Sequence, residues 1–216
     1  MSHIKYDDVS VQQRNIEKAQ RSPNPLKEVP ESQSFAEFSH NGLNFALQCK
    51  LKSDLDPKVV KWAFKLAERN VGNYFKTCKE GWQPKIKQND LNKNWARYLI
   101  AVDKSTKKNV AYTMFRFDLD YGSSVLYCYE MQVESEYQRK GLGAFMMKAL
   151  EHIVQHFKME KLVLTVLKNN PDAVKFYHRL GYKKDETSPD DEDYEILSKV
   201  FIETSNQSAN VLEALS

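Results

Sequence analysis

Six residues, Gln138-Arg139-Lys140-Gly141-Leu142-Gly143, have the types and spacing to hold an anion. They follow a hydrophobic, aromatic run from Val125 to Val133 and lead into an apolar-periodic stretch from Ala144 to Phe157. That order predicts a strand, a basic glycine turn and a helix. The first amides of a helix lack intrahelical partners, and the helix dipole adds partial positive charge at the same end. Gly141 and Gly143 let a phosphate approach the backbone with no side chain between them. No Gly-Lys-Ser/Thr closes the turn, so it is not a Walker P-loop, and the spacing is not the dinucleotide GxGxxG either.

The elements that must position this turn can be read from the rest of the chain. Residues 5–21 predict an amphipathic helix with a weak apolar stripe. Ser22-Pro23-Asn24-Pro25 ends it, because proline cannot continue a helix and restricts the residue before it. Residues 22–34 then read as an extended linker, which makes 1–34 an arm beside a domain over 35–202. Asn41-Gly42 marks a turn, Leu43–Leu51 a strand, and Asp56-Pro57 the start of a helix running towards Phe75. Gly81-Trp82-Gln83-Pro84 breaks that pattern, and residues 85–94 read as a polar loop or short helix facing solvent. Ala96–Val102, Val110–Asp118 and Val125–Val133 predict an antiparallel meander of three strands, or four with Leu43–Leu51. Lys161–Leu167 is apolar and β-branched throughout, as suits a strand buried on both faces and reached by a crossover. Asn170 and Pro171 open a helix that Gly181 ends. Tyr194–Lys199 alternates as a closing strand, and 203–216 reads as a disordered tail.

Composition narrows the class. Charged residues make up 28% and hydrophobic ones 41% of 216 residues, as expected of a soluble α/β domain. A net charge of +3 is too mild to argue direct nucleic-acid binding. No apolar run approaches the ~18 residues of a membrane span, and the N-terminal residues lack the apolar core of a secretory signal. Cys49, Cys78 and Cys128 are unpaired in spacing, so neither a disulfide framework nor a zinc site is expected, and the five histidines form no metal spacing. The acids gathered from Asp185 to Glu195 suit a solvated face or a basic partner.

Gln138-x-x-Gly141-x-Gly143 resembles the pyrophosphate loop of the GNAT superfamily of N-acetyltransferases. About thirty residues on stands a second match, Asn170-x-x-Ala173-x-x-x-Tyr177-x-x-x-Gly181-Tyr182. The resemblance implies a mixed, mostly antiparallel twisted sheet flanked by helices, and acetyl-CoA as co-substrate with no metal. The diphosphate would lie on Gln138, Arg139, Lys140, Gly141, Leu142, Gly143 and Ala144. Main-chain groups of Met131 and Val133 would pair with the pantetheine arm, Asn170 would bond that arm or the backbone beside it, and Tyr177 would protonate the departing thiolate.

Further matches narrow the resemblance to the NatD type of histone N-terminal α-amino acetyltransferases. They are Asn41-Gly42-Leu43-Asn44, Trp95-x-x-Tyr98-Leu99-Ile100-Ala101, Phe115-Arg116-Phe117-Asp118, Val125-Leu126-Tyr127-Cys128-Tyr129-Glu130 and Tyr194-Glu195-Ile196-Leu197-Ser198. The type implies transfer to the N-terminal serine of histone-four and histone-two-A, which start Ser-Gly-Arg-Gly, by a monomer in cytoplasm and nucleus. Two other readings share the sequence: lysine or small-amine acetylation on the same fold, and an inactive acetyl-CoA-binding module that recognises a basic tail.

The chemistry asked of the residues is modest. Freeing an α-amine of its proton at pH 7 costs about 1 kcal/mol, against roughly 4–5 kcal/mol for a lysine. A mild base suffices, even through a water. Glu130 is the expected base, assisted by Tyr127 and Tyr129. Strict strand alternation would put those tyrosines on one face and Glu130 on the other, so a shared site requires a β-bulge near Glu130. Asp118 and Asp120 are the expected partners of a substrate arginine, with Trp82 and Tyr194 as walls around a small second residue.

Overall fold

The computed structural model describes residues 3–30, 32–40 and 42–202; the tail expected over 203–216, and Asn41 of the Asn41-Gly42 turn, lie outside them. One eight-stranded sheet forms the middle layer, in the order β1-β2-β3-β4-β5-β6-β8-β7. Its strands are β1 (Glu37–His40), β2 (Leu43–Leu51), β3 (Arg97–Asp103), β4 (Asn109–Asp120), β5 (Ser123–Val133), β6 (Lys161–Leu167), β7 (Lys183–Lys184) and β8 (Tyr194–Val200). The meander β2-β3-β4-β5 is antiparallel throughout, and β6 is parallel to β5. The crossover between those two carries α6 (Leu142–His156), as a parallel connection requires. The mixed, mostly antiparallel sheet expected from the sequence is therefore present. β1 and β7, short edge strands, lack the length to announce themselves by alternation.

Strand alternation sorts the core. Leu99, Ala101, Phe115, Phe117, Leu126 and Cys128 face one layer with α6 and the N-terminal segments. Tyr98, Ile100, Tyr112 and Met114 face the other, against α4 (Pro57–Lys76) and α5 (Pro84–Leu91). Both buried phenols on that side are satisfied, Tyr98 donating to the Leu91 carbonyl at 2.6 Å and Tyr112 to that of Ala63 at 3.0 Å. These bonds fix α4 and α5 on the sheet at little desolvation cost.

The N-terminal segment differs from the extended linker expected over 22–34. After α1 (His3–Arg21) come two short helices, α2 (Pro25–Glu28) and α3 (Ser32–Ala36). The Asn24 side chain accepts from the Lys27 amide and Pro25 takes the first helical position, so Ser-Pro-Asn-Pro ends one helix and starts the next. Ile16, Ala19, Leu26, Val29 and Phe35 are buried in the same cluster as α6. Likewise, residues 85–94 do not simply face solvent: Leu91 is fully buried at the end of α5.

Candidate functional site

β5 and β6 start side by side and then part. Their ladder joins Val125–Cys128 to Lys161–Leu164, but β5 continues to Val133 and β6 to Leu167. A cleft of about 1050 Å³ opens between the parted ends. From β5 it is lined by Tyr127 to Val133, and from β6 by Thr165 to Leu167. Gln138, Arg139, Gly141, Gly143 and Ala144 close one end. Asn170, Tyr177 and, at the start of β8, Tyr194 close another.

The strand carries the bulge that a shared site needs. On β4, Met114 and Phe115 are consecutive, yet their partners on β5 are Glu130 and Cys128. Tyr129 is the extra residue. The insertion reverses the alternation beyond it, so Glu130 falls on the face of Tyr127 instead of the opposite one. The Tyr127 and Tyr129 rings lie 4.6 Å apart, and the Tyr127 hydroxyl shares a 2.7 Å hydrogen bond with the Thr165 hydroxyl. Burial pushes both phenols above their usual range, so each stays a neutral donor.

Glu130 is only 8% exposed, and each of its oxygens has a partner. Lys87 Nζ, from α5, donates to Oε2 at 2.6 Å, and Gln132 Nε2 donates to Oε1 at 2.6 Å. The two bonds satisfy a carboxyl group that burial would otherwise leave without partners. Tyr177 is also 8% exposed, on α7 (Pro171–Arg179). Burial drives its phenol well above the usual value, with Cys128 and Glu130 adding to the effect. It therefore stays a neutral hydroxyl.

The glycine turn forms as the sequence predicts. Arg139 and Gly141 take positive φ, 57° and 83°, and Gly141 caps α6 in a left-handed conformation with no side chain over the first amides. Leu142 turns its side chain into the core. A Cβ on Gly143 would stand 3.2 Å from Met131 Cε and 3.4 Å from Phe176 Cζ, so the close approach is used by packing as well as left open to a ligand. Lys140 and Arg139 are exposed, and Arg139 reaches Asp172 at 3.0 Å.

Several expected contacts are already occupied within the protein. The Asn170 side chain accepts from the Ala173 amide at 3.2 Å, capping α7. The Val133 carbonyl, expected to meet the pantetheine arm, accepts from Gln138 Nε2 and from Asn70 Nδ2, each at 3.0 Å. Asp118 pairs with Arg116 two residues earlier, and Arg116 lies 4.9 Å over Trp95 and 5.2 Å over Tyr129. Asp118 and Asp120 lie outside the cleft lining, further along the strand whose Arg116 is the register partner of Tyr127. Trp82 is not a cleft wall. It packs on α4, 6.2 Å from the Phe64 ring, 5.7 Å from Phe75 and 3.8 Å from a Cβ built on Gly72, because the Gly81 turn folds it back onto the helix it follows.

Sequence reasoning missed Lys87, Gln132, Asn70 and Thr165. Lys87 sat in a stretch whose polarity suggested solvent. Asn70 and Gln132 are ordinary polar residues within a helix and a strand, and no local pattern marks them.

A cleft between parted strands, ending on the bare amides of a helix start, fits a long thin ligand with a diphosphate. The family model described as the acetyltransferase (GNAT) family matches residues 64–182, more than half of the chain, and the chain belongs to that family. Members of that family are acetyltransferases that use acetyl-CoA as their donor. Over 52 residues it is 36% identical to a spermine/spermidine N(1)-acetyltransferase of Bacillus subtilis (strain 168), a match covering 24% of this chain and 34% of that protein. The match thus spans about a third of the length of that curated relative. An acetyltransferase of the GNAT family from Listeria monocytogenes superposes with TM-score 0.56 at 11% identity, over 76% of this chain and 99% of that one. A spermidine N-acetyltransferase from Vibrio cholerae, solved in complex with CoA and spermine, gives 0.51 at 14% identity, over 71% and 95%. At these identities the likeness is one of fold.

Proposed function

We propose that the chain acetylates the α-amino group of a basic protein tail, the Ser-Gly-Arg-Gly start of histone-four and histone-two-A being the tail its motifs imply. The observation that carries this reading is the state of Glu130. Both oxygens already accept hydrogen bonds, from Lys87 and Gln132, which leaves only their remaining lone pairs for an incoming amine or its bridging water. Such a group suits an amine that yields its proton readily. The roughly 3–4 kcal/mol by which a lysine-like amine is harder to deprotonate at pH 7 favours an α-amine here. Tyr127 and Tyr129, neutral and adjacent, hold the amine and the carbonyl it attacks; Tyr177, buried and protonated, faces the departing sulfur.

The surroundings suit a cation beyond the amine. Beyond the cleft lining, the Asp120 carboxyl is pushed up, first by burial and then by Asp118 and Asp185, and a substrate arginine reaching out of the cleft to Asp118 and Asp120 would offset the repulsion between those two. Arg116 fills part of this role at rest by pairing with Asp118.

A second reading, acetylation of a polyamine, is favoured by the names of the relatives and by the acids Glu80, Glu192 and Asp193 in the cleft lining. Incubation with labelled acetyl-CoA, a Ser-Gly-Arg-Gly peptide, the same peptide with a blocked N-terminus, and spermidine separates the two. Mass spectrometry should place the label on the α-nitrogen of the free peptide. Preferential labelling of spermidine, or equal labelling of the blocked peptide, would replace the proposal with the second reading.

A further inference from the structure

The hydrogen bonds around Glu130 continue away from it. Gln132 Oε1 accepts from Asn70 Nδ2 at 3.0 Å, and the same Asn70 nitrogen donates to the Val133 carbonyl at 3.0 Å. That carbonyl also accepts from Gln138 Nε2 at 3.0 Å. Lys87, Glu130, Gln132, Asn70, Val133 and Gln138 therefore form one unbroken chain, from the carboxylate at the reacting end of the cleft to the first residue of the glycine turn. Its two ends lie on different elements, and its middle is a single side chain of α4. That helix is itself gripped at the end of β5, where Arg69 holds Glu134 by two bonds of 2.9 and 2.8 Å and Trp62 Nε1 adds a third at 2.9 Å. Gln132 is 6% exposed, so its bonds are not exchanged freely for water, and a shift at one end is transmitted or leaves a buried group unpaired.

We propose that Asn70 and Gln132 are positioning residues that couple occupancy of the glycine turn to the orientation of Glu130. A diphosphate drawing Gln138 towards the amides of Gly141 and Gly143 alters the bond to the Val133 carbonyl. Asn70 then carries the change to Gln132 and so to the carboxylate, which takes its working position once the donor is seated. This rests on the reading that the turn grips a diphosphate and that Glu130 receives the acceptor's proton. It does not depend on which amine is the acceptor.

The test uses the whole chain, labelled with carbon-13 at glutamate carboxyls and nitrogen-15 at amides, with the Glu130 signal assigned by its loss in Glu130→Gln. The ligand is the nucleotide diphosphate half of coenzyme A without the pantetheine arm, which reaches the turn but not Glu130. The amides of Gly141 and Gly143 should move, and the Glu130 carboxyl signal should move with them. In Asn70→Ala the glycine amides should still respond to the ligand, while the carboxyl signal stays still. Asn70→Ser, too short to span both bonds, repeats the measurement if the alanine variant fails to fold. A Glu130 signal that is unmoved in the wild type, or that moves equally in the Asn70 variants, overturns the coupling. Silent glycine amides overturn the diphosphate reading itself.

Discussion

At Glu130, exchanging a carboxylate for an amide isolates its part in the reaction. Glu130→Gln keeps the size of the side chain but puts an N–H where either Lys87 or Gln132 already presents one. The variant should lose about a hundredfold in kcat with little change in the KM for acetyl-CoA, read by steady-state kinetics. Undiminished turnover would remove Glu130 from the chemistry. Asp103 tests a different property, the acid stability of the turn between β3 and β4. Its carboxylate accepts from the Ser105 hydroxyl and amide, the Thr106 amide and the Tyr137 hydroxyl, and these bonds bring its pKa down to about 2. A depressed folded-state pKa means that the stabilisation is fully present above the unfolded value of about 3.9 and is lost as pH falls through the folded one. Asp103→Ala should therefore melt lower than the wild type at neutral pH, with the gap closing between about pH 4 and pH 2 in thermal scans. A gap that persists at pH 2 would show that the turn matters for another reason.

Among the elements, the turn and helix α6 pose a conflict between stability and function at Gly143. Alanine there improves helix propensity by about 1 kcal/mol, and its neighbours are the flexible end of Met131 and the Phe176 ring. Gly143→Ala should fold with an unchanged or higher Tm, yet push Met131 into the cleft and raise the KM for acetyl-CoA about tenfold, a cost of about 1.4 kcal/mol. An unaltered KM would mean that the donor does not run past this residue. Such elements were legible because they are local. Glycines at fixed offsets, a strand before them and an apolar period of 3.6 after them are written within thirty residues, and so is the continuous apolar run of β6. Even the bulge followed from asking how Tyr127 and Glu130 could share a face. What stayed illegible depends on contacts across the fold: Lys87 meets a carboxylate 43 positions away, and Asn70 an amide 62 away. Polarity tells that such a residue needs partners, but not whether they are water. The same limit explains Trp82, whose size fits a pocket wall as well as the α4 surface it covers, and Asp118, whose partner proved to be its own neighbour Arg116.

For the whole molecule the N-terminal segment decides what counts as the domain. A boundary near residue 35 is natural in sequence, since Ser-Pro-Asn-Pro breaks the first helix, but the packing crosses it. α1 lies against β4 and β5, and its last turn is closed by a side chain from the sheet. Arg97, 4% exposed, donates to the carbonyls of Ala19, Gln20 and Ser22 at 3.4, 2.5 and 2.9 Å, with its guanidinium 5.3 Å over the Phe117 ring. Helix ends leave carbonyls without partners, and here one buried cation serves three of them. Without residues 1–34 the chain would leave that cation with no acceptors and uncover the sheet face on which Ile16, Ala19, Leu26 and Val29 rest. Each Leu, Ile or Val buried there contributes about 1.5–3 kcal/mol, so losing several at once removes a large part of the roughly 5–15 kcal/mol that holds a domain together. The truncated chain should therefore lack a cooperative thermal transition. In the full chain, Arg97→Leu removes the charge along with its bonds and is milder: about 2 kcal/mol, or a Tm lower by roughly 4–8 °C, with kcat of the folded enzyme unchanged because Arg97 lies away from the cleft. Scanning calorimetry with parallel kinetics reads both quantities. A truncated chain that melts cooperatively near the full-length Tm would make the segment an appendage after all.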